Sequence, residues 1–173
     1  HQSLGAVASN YINLDTNGAK SSVSDGITAI SSSNFTVNTR GDVNENNMKY
    51  IAYCFADIQG YSKVSGSYSG NGNVDGPFIY TGFRPAFIIN KRTDSTSGWD
   101  IFDNRRLGYN VANRLLGANS SGAESTTDKL DILSNGFKMR TTSGGNYSGG
   151  TYIYMAFAES PFVNSNGIPN NAR

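Results

Sequence analysis

The stretch "FTVNTRGDVNENNMKYIAYCFAD", Phe35 to Asp57, aligns without a gap with "FKMRTTSGGNYSGGTYIYMAFAE", Phe137 to Glu159, at an offset of 102 (137 − 35). Phe35/Phe137, Thr39/Thr141, Asn44/Asn146, Tyr50/Tyr152, Ile51/Ile153, Phe55/Phe157 and Ala56/Ala158 are identical pairs. Val37/Met139, Cys54/Ala156 and Asp57/Glu159 are conservative ones. Upstream, Ile30 meets Ile132 at the same offset, and "SLGAVASNYINL" resembles "RRLGYNVANRLL" with one residue of slippage, Leu4 pairing with Leu107. A match that outlasts one hairpin at nearly constant spacing reads as an internal duplication. The expected organisation is a partial first unit, residues 1–60, and a complete second unit with a C-terminal tail, residues 61–173.

In the second unit "FIYTGFRPAFIINKRTDSTSGWDIFD" precedes the matched region, and the first unit has no counterpart. The opening strands of the first unit are expected upstream or from another chain, since an open sheet edge is normally covered. Strands are expected at Tyr11–Leu14, Ile27–Ile30, Phe35–Thr39 and Tyr50–Ala56, then Ser62–Tyr68, Pro77–Tyr80, Ala86–Lys91, Trp99–Asp103, Asp131–Leu133, Phe137–Thr141 and Tyr152–Ala158. Clusters such as "DTNGAK", "NGNVDG" and "TSGGNYSGG" separate them. One helical turn is expected at Val111–Leu116. Many short strands joined by Gly- and Asn-rich turns imply an all-β sandwich or barrel.

Alternation assigns faces. Ile51, Tyr53 and Phe55 share one side of the first repeated strand, and Ile153, Met155 and Phe157 one side of the second. These bulky faces are expected to fill the core. The small faces, including Ala52, Cys54 and Ala56 or Ala156 and Ala158, are expected beneath another layer. Both strands then read as central.

Composition narrows the function. The 173 residues carry a net charge of +1 and no cationic run, which argues against nucleic acid and anionic membrane as main partners. No stretch approaches the ~20 apolar residues of a helical membrane span. With one cysteine, Cys54, there is no intrachain disulfide, and it reads as a small buried hydrophobe. His1 is the only histidine, so a Cys–His pair or a zinc site lacks ligands. The three glutamates, Glu45, Glu124 and Glu159, lie apart, and Asp100 and Asp103 point to opposite strand faces. Glycoside hydrolysis needs two carboxyls flanking one bond, so catalysis is not expected. "NGNVDG" and "DVNEN" each offer oxygen ligands but too few for calcium alone, and Asx turns explain them. No cofactor or metal is expected. "RGD" at Arg40–Asp42 and the sequons "NFT", "NSS" and "NYS" read as chance matches in a chain rich in Asn, Ser and Thr. The candidate ligand-binding residues are aromatics and amides near loops: Tyr68, Asn71, Asn73, Asp75, Trp99 and Tyr147.

The segments "YIAYCFADIQGYSKVSGSYSGNGNVDGPFIYTGFRPAFIINKRTDS", "ILSNGFKMRTT", "SGGTYIYMAFAESPF" and "VNSNGIPNNAR" resemble a domain of unknown function that recurs in marine bacteriophage structural proteins. The likeness runs from about Ile27 onward. It implies a virion tail or appendage protein with a lectin-like, concanavalin-type jelly-roll sandwich and no assigned catalytic residues. It also implies a chain that is the C-terminal portion of a longer polypeptide. Copies of itself, other virion proteins and host-surface glycan are the implied partners, homo-oligomeric packing is expected, and the virion is the implied location. A purely structural decoration subunit and, less favoured, a polysaccharide depolymerase are the alternatives.

Overall fold

Thr151–Ala158, "TYIYMAFA", is the strand around which the molecule is organised. Its aromatic and β-branched residues suit a pleated surface buried on both sides. The structure, a computed structural model, describes residues 1–4, 10–106 and 110–160. The strands in chain order are β1 (Asn10–Tyr11), β2 (Ser21–Ser22), β3 (Ile27–Ile30), β4 (Phe35–Val37), β5 (Ser62–Ser69), β6 (Phe78–Tyr80), β7 (Pro85–Arg92), β8 (Trp99–Asp103), β9 (Leu116–Gly117), β10 (Leu130–Leu133), β11 (Gly136–Met139) and β12 (Thr151–Ala158). A four-residue helix, α1, covers Gly41–Asn44. All pairings between these strands are antiparallel.

Five strands form the larger sheet in the order β5-β12-β7-β8-β9, and three form the smaller, β10-β11-β6. The two face each other across one apolar core of Ile88, Phe102, Tyr154, Ala156 and Ala158 from the first and Ile79, Leu130, Ile132, Phe137 and Met139 from the second. The fold is therefore an all-β antiparallel sandwich. Tyr154 meets Phe137 edge-on at 5.3 Å, a favoured aromatic geometry. Gly66, opposite Tyr154 in the ladder, makes room for that ring: a Cβ at Gly66 would lie 2.1 Å from it.

Three expectations need correction. First, Tyr50–Ala56 is not a strand: it has no regular secondary structure and no sheet partner among the described residues. Ile51 is 81% exposed, Tyr53 79% and Phe55 58%, and Cys54 is exposed rather than buried. Only its counterpart β12 is central, and a strand needs neighbours that this segment lacks. Second, the face assignment of β12 is reversed. Tyr154, Ala156 and Ala158 pack into the core with the smaller sheet, and Tyr152 stacks on Tyr68, which packs against the same core. Ile153, Met155 and Phe157 lie on the outer side, where Phe157 meets Phe55 and Phe87. Third, Val111–Leu116 forms no helical turn. The Ala112 N–H donates to Leu130 O and the Leu115 N–H to Ser125 O, so tertiary partners take the groups a helix would use. Shorter strands than expected are found at Asn10–Tyr11, Phe35–Val37 and Phe78–Tyr80, and β11 ends at Met139.

Two features recur at the offset of 102. In the β3–β4 hairpin Ile30 faces Phe35 and Ala29 faces Thr36; in β10–β11 Ile132 faces Phe137 and Asp131 faces Lys138. The Tyr50 hydroxyl accepts the Glu45 N–H at 2.9 Å, and the Tyr152 hydroxyl accepts the Tyr147 N–H at 2.9 Å.

Candidate functional site

The C-terminal ends of β5 and β7 and the N-terminal ends of β8 and β12 meet at one end of the larger sheet, because β12 pairs Thr151 with Ser69 and Tyr152 with Arg92, and β7 pairs Lys91 with Trp99. The loops 70–77, 93–98 and 142–150 therefore gather there. Loops on a rigid sandwich are where binding groups concentrate.

Asn146 holds this end together. It is fully buried, its Oδ1 accepts the Asn71 N–H at 2.9 Å, and its amide nitrogen donates to Asn71 Oδ1 at 3.0 Å, Asn73 O at 2.8 Å and Thr141 O at 2.7 Å. Asn71 and Asn73 are thereby fixed, and each also accepts a backbone N–H two residues on, Asn73 and Asp75 respectively. That is Asx-turn chemistry. Asp75 pairs with Lys138 at 2.6 Å, and the bond to that ammonium holds its carboxyl below the usual carboxylate range. Asn146 is also the acceptor of the "NYS" sequon, and its burial removes it as a glycan attachment point.

Tyr147, next in sequence, projects outward with 43% of its surface exposed. The Arg92 guanidinium lies 5.2 Å from its ring centroid. Arg92 is itself clamped by Asp94, Nε to Oδ1 at 2.9 Å and Nη2 to Oδ2 at 3.0 Å. Those bonds, with the Thr151 N–H on Oδ1, keep the Asp94 carboxyl down at about 2. The result is an aromatic ring stiffened from one side by a planar cation, at the cation–π separation expected for such a pair. Arg92 and Asp94 are absent from the sequence-derived candidates; the signal for them is the "KRTD" turn, where Arg and Asp two apart can form a planar pair.

The other candidates separate. Tyr68 packs inward: its ring stacks on Tyr152 at 4.9 Å and its hydroxyl donates to Gly145 O at 2.8 Å. Burial pushes that hydroxyl well above the ordinary tyrosine range, so Tyr68 is engaged in the core. Trp99 begins β8 half-buried on the outer face, and its indole N–H donates to Asn13 O at 2.9 Å. The loop end thus brings together Asn71, Asn73, Asp75 and Tyr147, with Trp99 at the same end but on the sheet's outer side.

For catalysis the arrangement offers little. Asp103 binds Arg106, Glu124 binds Arg106 and Arg114, Glu159 binds Arg84 and Asp131 binds Arg140. These carboxylates are engaged as ion-pair partners of arginines. Asp100 is the exception: burial between the sheets raises its carboxyl, with Lys129 and Lys91 opposing. It has no second carboxyl beside it in the ladder, where it faces Asn90 and Gly117. Among the described residues no three His, Cys, Asp or Glu side chains come together to hold a metal ion. The "RGD" tripeptide is closed on itself, Arg40 binding Asp42 at 2.7 Å.

A second feature lies away from the loop end. The uncovered segment Tyr50–Ala56 lines an open, mostly apolar groove of about 790 Å³ with the β3–β4 hairpin, His1 and Met155. Where β5 and β12 lose register beyond Tyr154, three groups anchor this region. Asp57 accepts the Val64 and Ser65 N–H groups at 2.7 and 2.9 Å and pairs with Lys63 at 2.5 Å. His1 Nε2 meets Tyr154 O at 3.2 Å, and the Ser3 hydroxyl donates to Ser65 O.

Residues 1–161 match a family described as a domain of unknown function (DUF7483). The chain belongs to that family. No curated protein and no solved structure matches it. Family membership supplies no activity, so function must be argued from the geometry above.

Proposed function

We propose that this member of the family is a non-enzymatic structural β module of a bacteriophage tail fibre or appendage, built to dock against further β structure. The observation that supports this is the exposed segment Tyr50–Ala56. Ile51, Tyr53 and Phe55 expose an apolar strip beside an apolar groove, and such patches mark interaction surfaces rather than free monomers. The likeness to phage structural proteins supplies the setting, and among the described residues most carboxylates are engaged in ion pairs with Lys or Arg, which fits a role without chemistry. The test is particle composition. Mass spectrometry of purified virions and antibody labelling under the electron microscope are expected to place the chain on an appendage; its absence from the particles would refute the reading.

A second reading, host-glycan binding, is favoured by one observation: Tyr147 is exposed yet held stiff by Arg92, with Asn71, Asn73 and Asp75 nearby. An exposed aromatic ring at a loop end that also carries Asn and Asp residues suits a sugar face. A glycan array is expected to show binding that Tyr147→Ala abolishes while leaving the melting temperature unchanged. Silence across host glycans removes this reading and leaves the structural one, whereas release of reducing ends from host polysaccharide would establish a depolymerase instead.

A further inference from the structure

We infer that the groove along Tyr50–Ala56 is closed by a second copy of this chain, in a two-fold pairing that lays the exposed segment of each copy into the groove of the other. The inference rests on the reading above that this face docks, and it names the partner.

Area is the first argument. Ile30 and Phe35 of the β3–β4 hairpin line the groove together with Tyr50, Ile51, Tyr53 and Phe55, and each of the six is 40–81% exposed. A fully buried Phe or Tyr removes 150–250 Å² from water, so these six offer roughly 600 Å² of apolar surface on one face. Monomeric proteins rarely expose a patch beyond about 300–600 Å². A standard interface takes about 800 Å² from each partner, and about two-thirds of that is apolar between identical chains. The patch therefore matches the apolar share of one side of a dimer. Charge is the second argument. A two-fold axis brings like groups together, so a face that pairs with itself must carry no free charge there. Tyr50–Ala56 contains no charged residue. Of the two carboxylates lining the groove, Asp42 is bound by Arg40 at 2.7 Å and Asp57 by Lys63 at 2.5 Å, so neither is left to repel its symmetry mate. Shape is the third. Ile51 and Tyr53 are the most exposed large apolar side chains among the described residues, and they stand beside the hollow they would fill. Because ridge and hollow belong to one face, two copies satisfy each other and the pairing closes; on different faces they would propagate a filament. The same contact extends over Met155, which lines the groove from the outer side of β12, and so gives a reason for the apolar outer face of that strand.

Sedimentation of the 173-residue chain tests this. Interfaces of this size bind with micromolar to picomolar constants, so a dimer is expected at about 50 µM. Ile51→Lys and Ile30→Lys, on the two sides of the groove, set like charges into the contact and are each expected to weaken association by about a hundredfold. Leu14→Lys, as exposed as Ile30 but outside the groove lining, is expected to change nothing. Cys54 lines the groove and is exposed in the single chain, so a thiol reagent is expected to modify it about tenfold more slowly in the parent than in Ile30→Lys. A chain that stays monomeric at that concentration, a dimer indifferent to both groove variants, an assembly larger than two, or a dimer whose Cys54 reacts as fast as in Ile30→Lys overturns the inference. Should both lysine variants fail to fold, Tyr53→Ser takes their place under the same criteria. Failure here and failure of the docking reading are distinguishable. A monomeric chain overturns the pairing and leaves the face to a different protein, whereas absence of the protein from virions removes the phage setting without touching the pairing.

Discussion

Asn146→Ala tests whether the loop end is a rigid platform or a set of independent turns. The amide accepts one backbone N–H and donates to three oxygens, all within 3.0 Å, from a position with no exposed surface. A net hydrogen bond contributes about 1 kcal/mol, and a buried partner left unpaired costs roughly 1–3 kcal/mol. Two hydrogens are shared among three acceptors, so the bonds do not count in full. The expected loss is about 3 kcal/mol, which for a chain of this size lowers the melting temperature by roughly 10 °C. The comparison variant is Asn44→Ala at the matching repeat position. Asn44 donates a single exposed bond to Asn38 O at 2.8 Å, and its loss is expected to cost about 0.5 kcal/mol. Urea unfolding measures both, and hydrogen exchange at Asn71, Gly72 and Asn73 reports whether the loop loosens. A cost below about 1 kcal/mol for Asn146→Ala, or equal costs for the two variants, would refute the view that this residue organises the site.

Two further perturbations address the core. Gly66→Ala sets a Cβ 2.1 Å from the Tyr154 ring, which Phe137 holds in place, so a loss of about 3 kcal/mol by urea denaturation is expected; a near-neutral result would mean the ring can swing aside. Asp100→Asn concerns a carboxyl that burial raises in the folded state. A raised carboxyl weakens the fold as pH climbs through its titration and leaves it unaffected where both states are protonated. The variant is therefore expected to melt higher than the parent at pH 7 and to converge with it near pH 3, and a lower melting temperature at pH 7 would show that the Lys91 and Lys129 charges outweigh desolvation.

How much of this was legible in the sequence differs from element to element. The sandwich was, because strands such as Ser62–Tyr68 and Tyr152–Ala158 announce themselves through alternation and aromatic content, and their turns through Gly and Asn. The inward face of β12 was not. Residue bulk pointed to Ile153, Met155 and Phe157, but tyrosines fill an inter-sheet space when a backbone acceptor can take the hydroxyl, and Tyr154 reaches Tyr80 O at 3.4 Å. Alternation separates the two faces of a strand without saying which is inside. At the loop end, Asn71, Asn73 and Asp75 were recognisable as turn residues, while the role of Asn146 depends on contacts some 75 residues away that no local pattern encodes.

The first repeat carries the sharper lesson. Tyr50–Ala56 and Tyr152–Ala158 share identical residues at four of seven positions, yet only one is a strand. Local sequence sets the propensity to be extended and the period of the side chains. Whether a ladder forms depends on neighbours whose N–H and C=O groups are free to receive it. Here the second unit supplies β5 and β7 to β12, and nothing among the described residues does so for Tyr50–Ala56. The segment keeps the composition of a buried strand, with isoleucine, tyrosine and phenylalanine at the alternate positions, because that composition suits a partnered state.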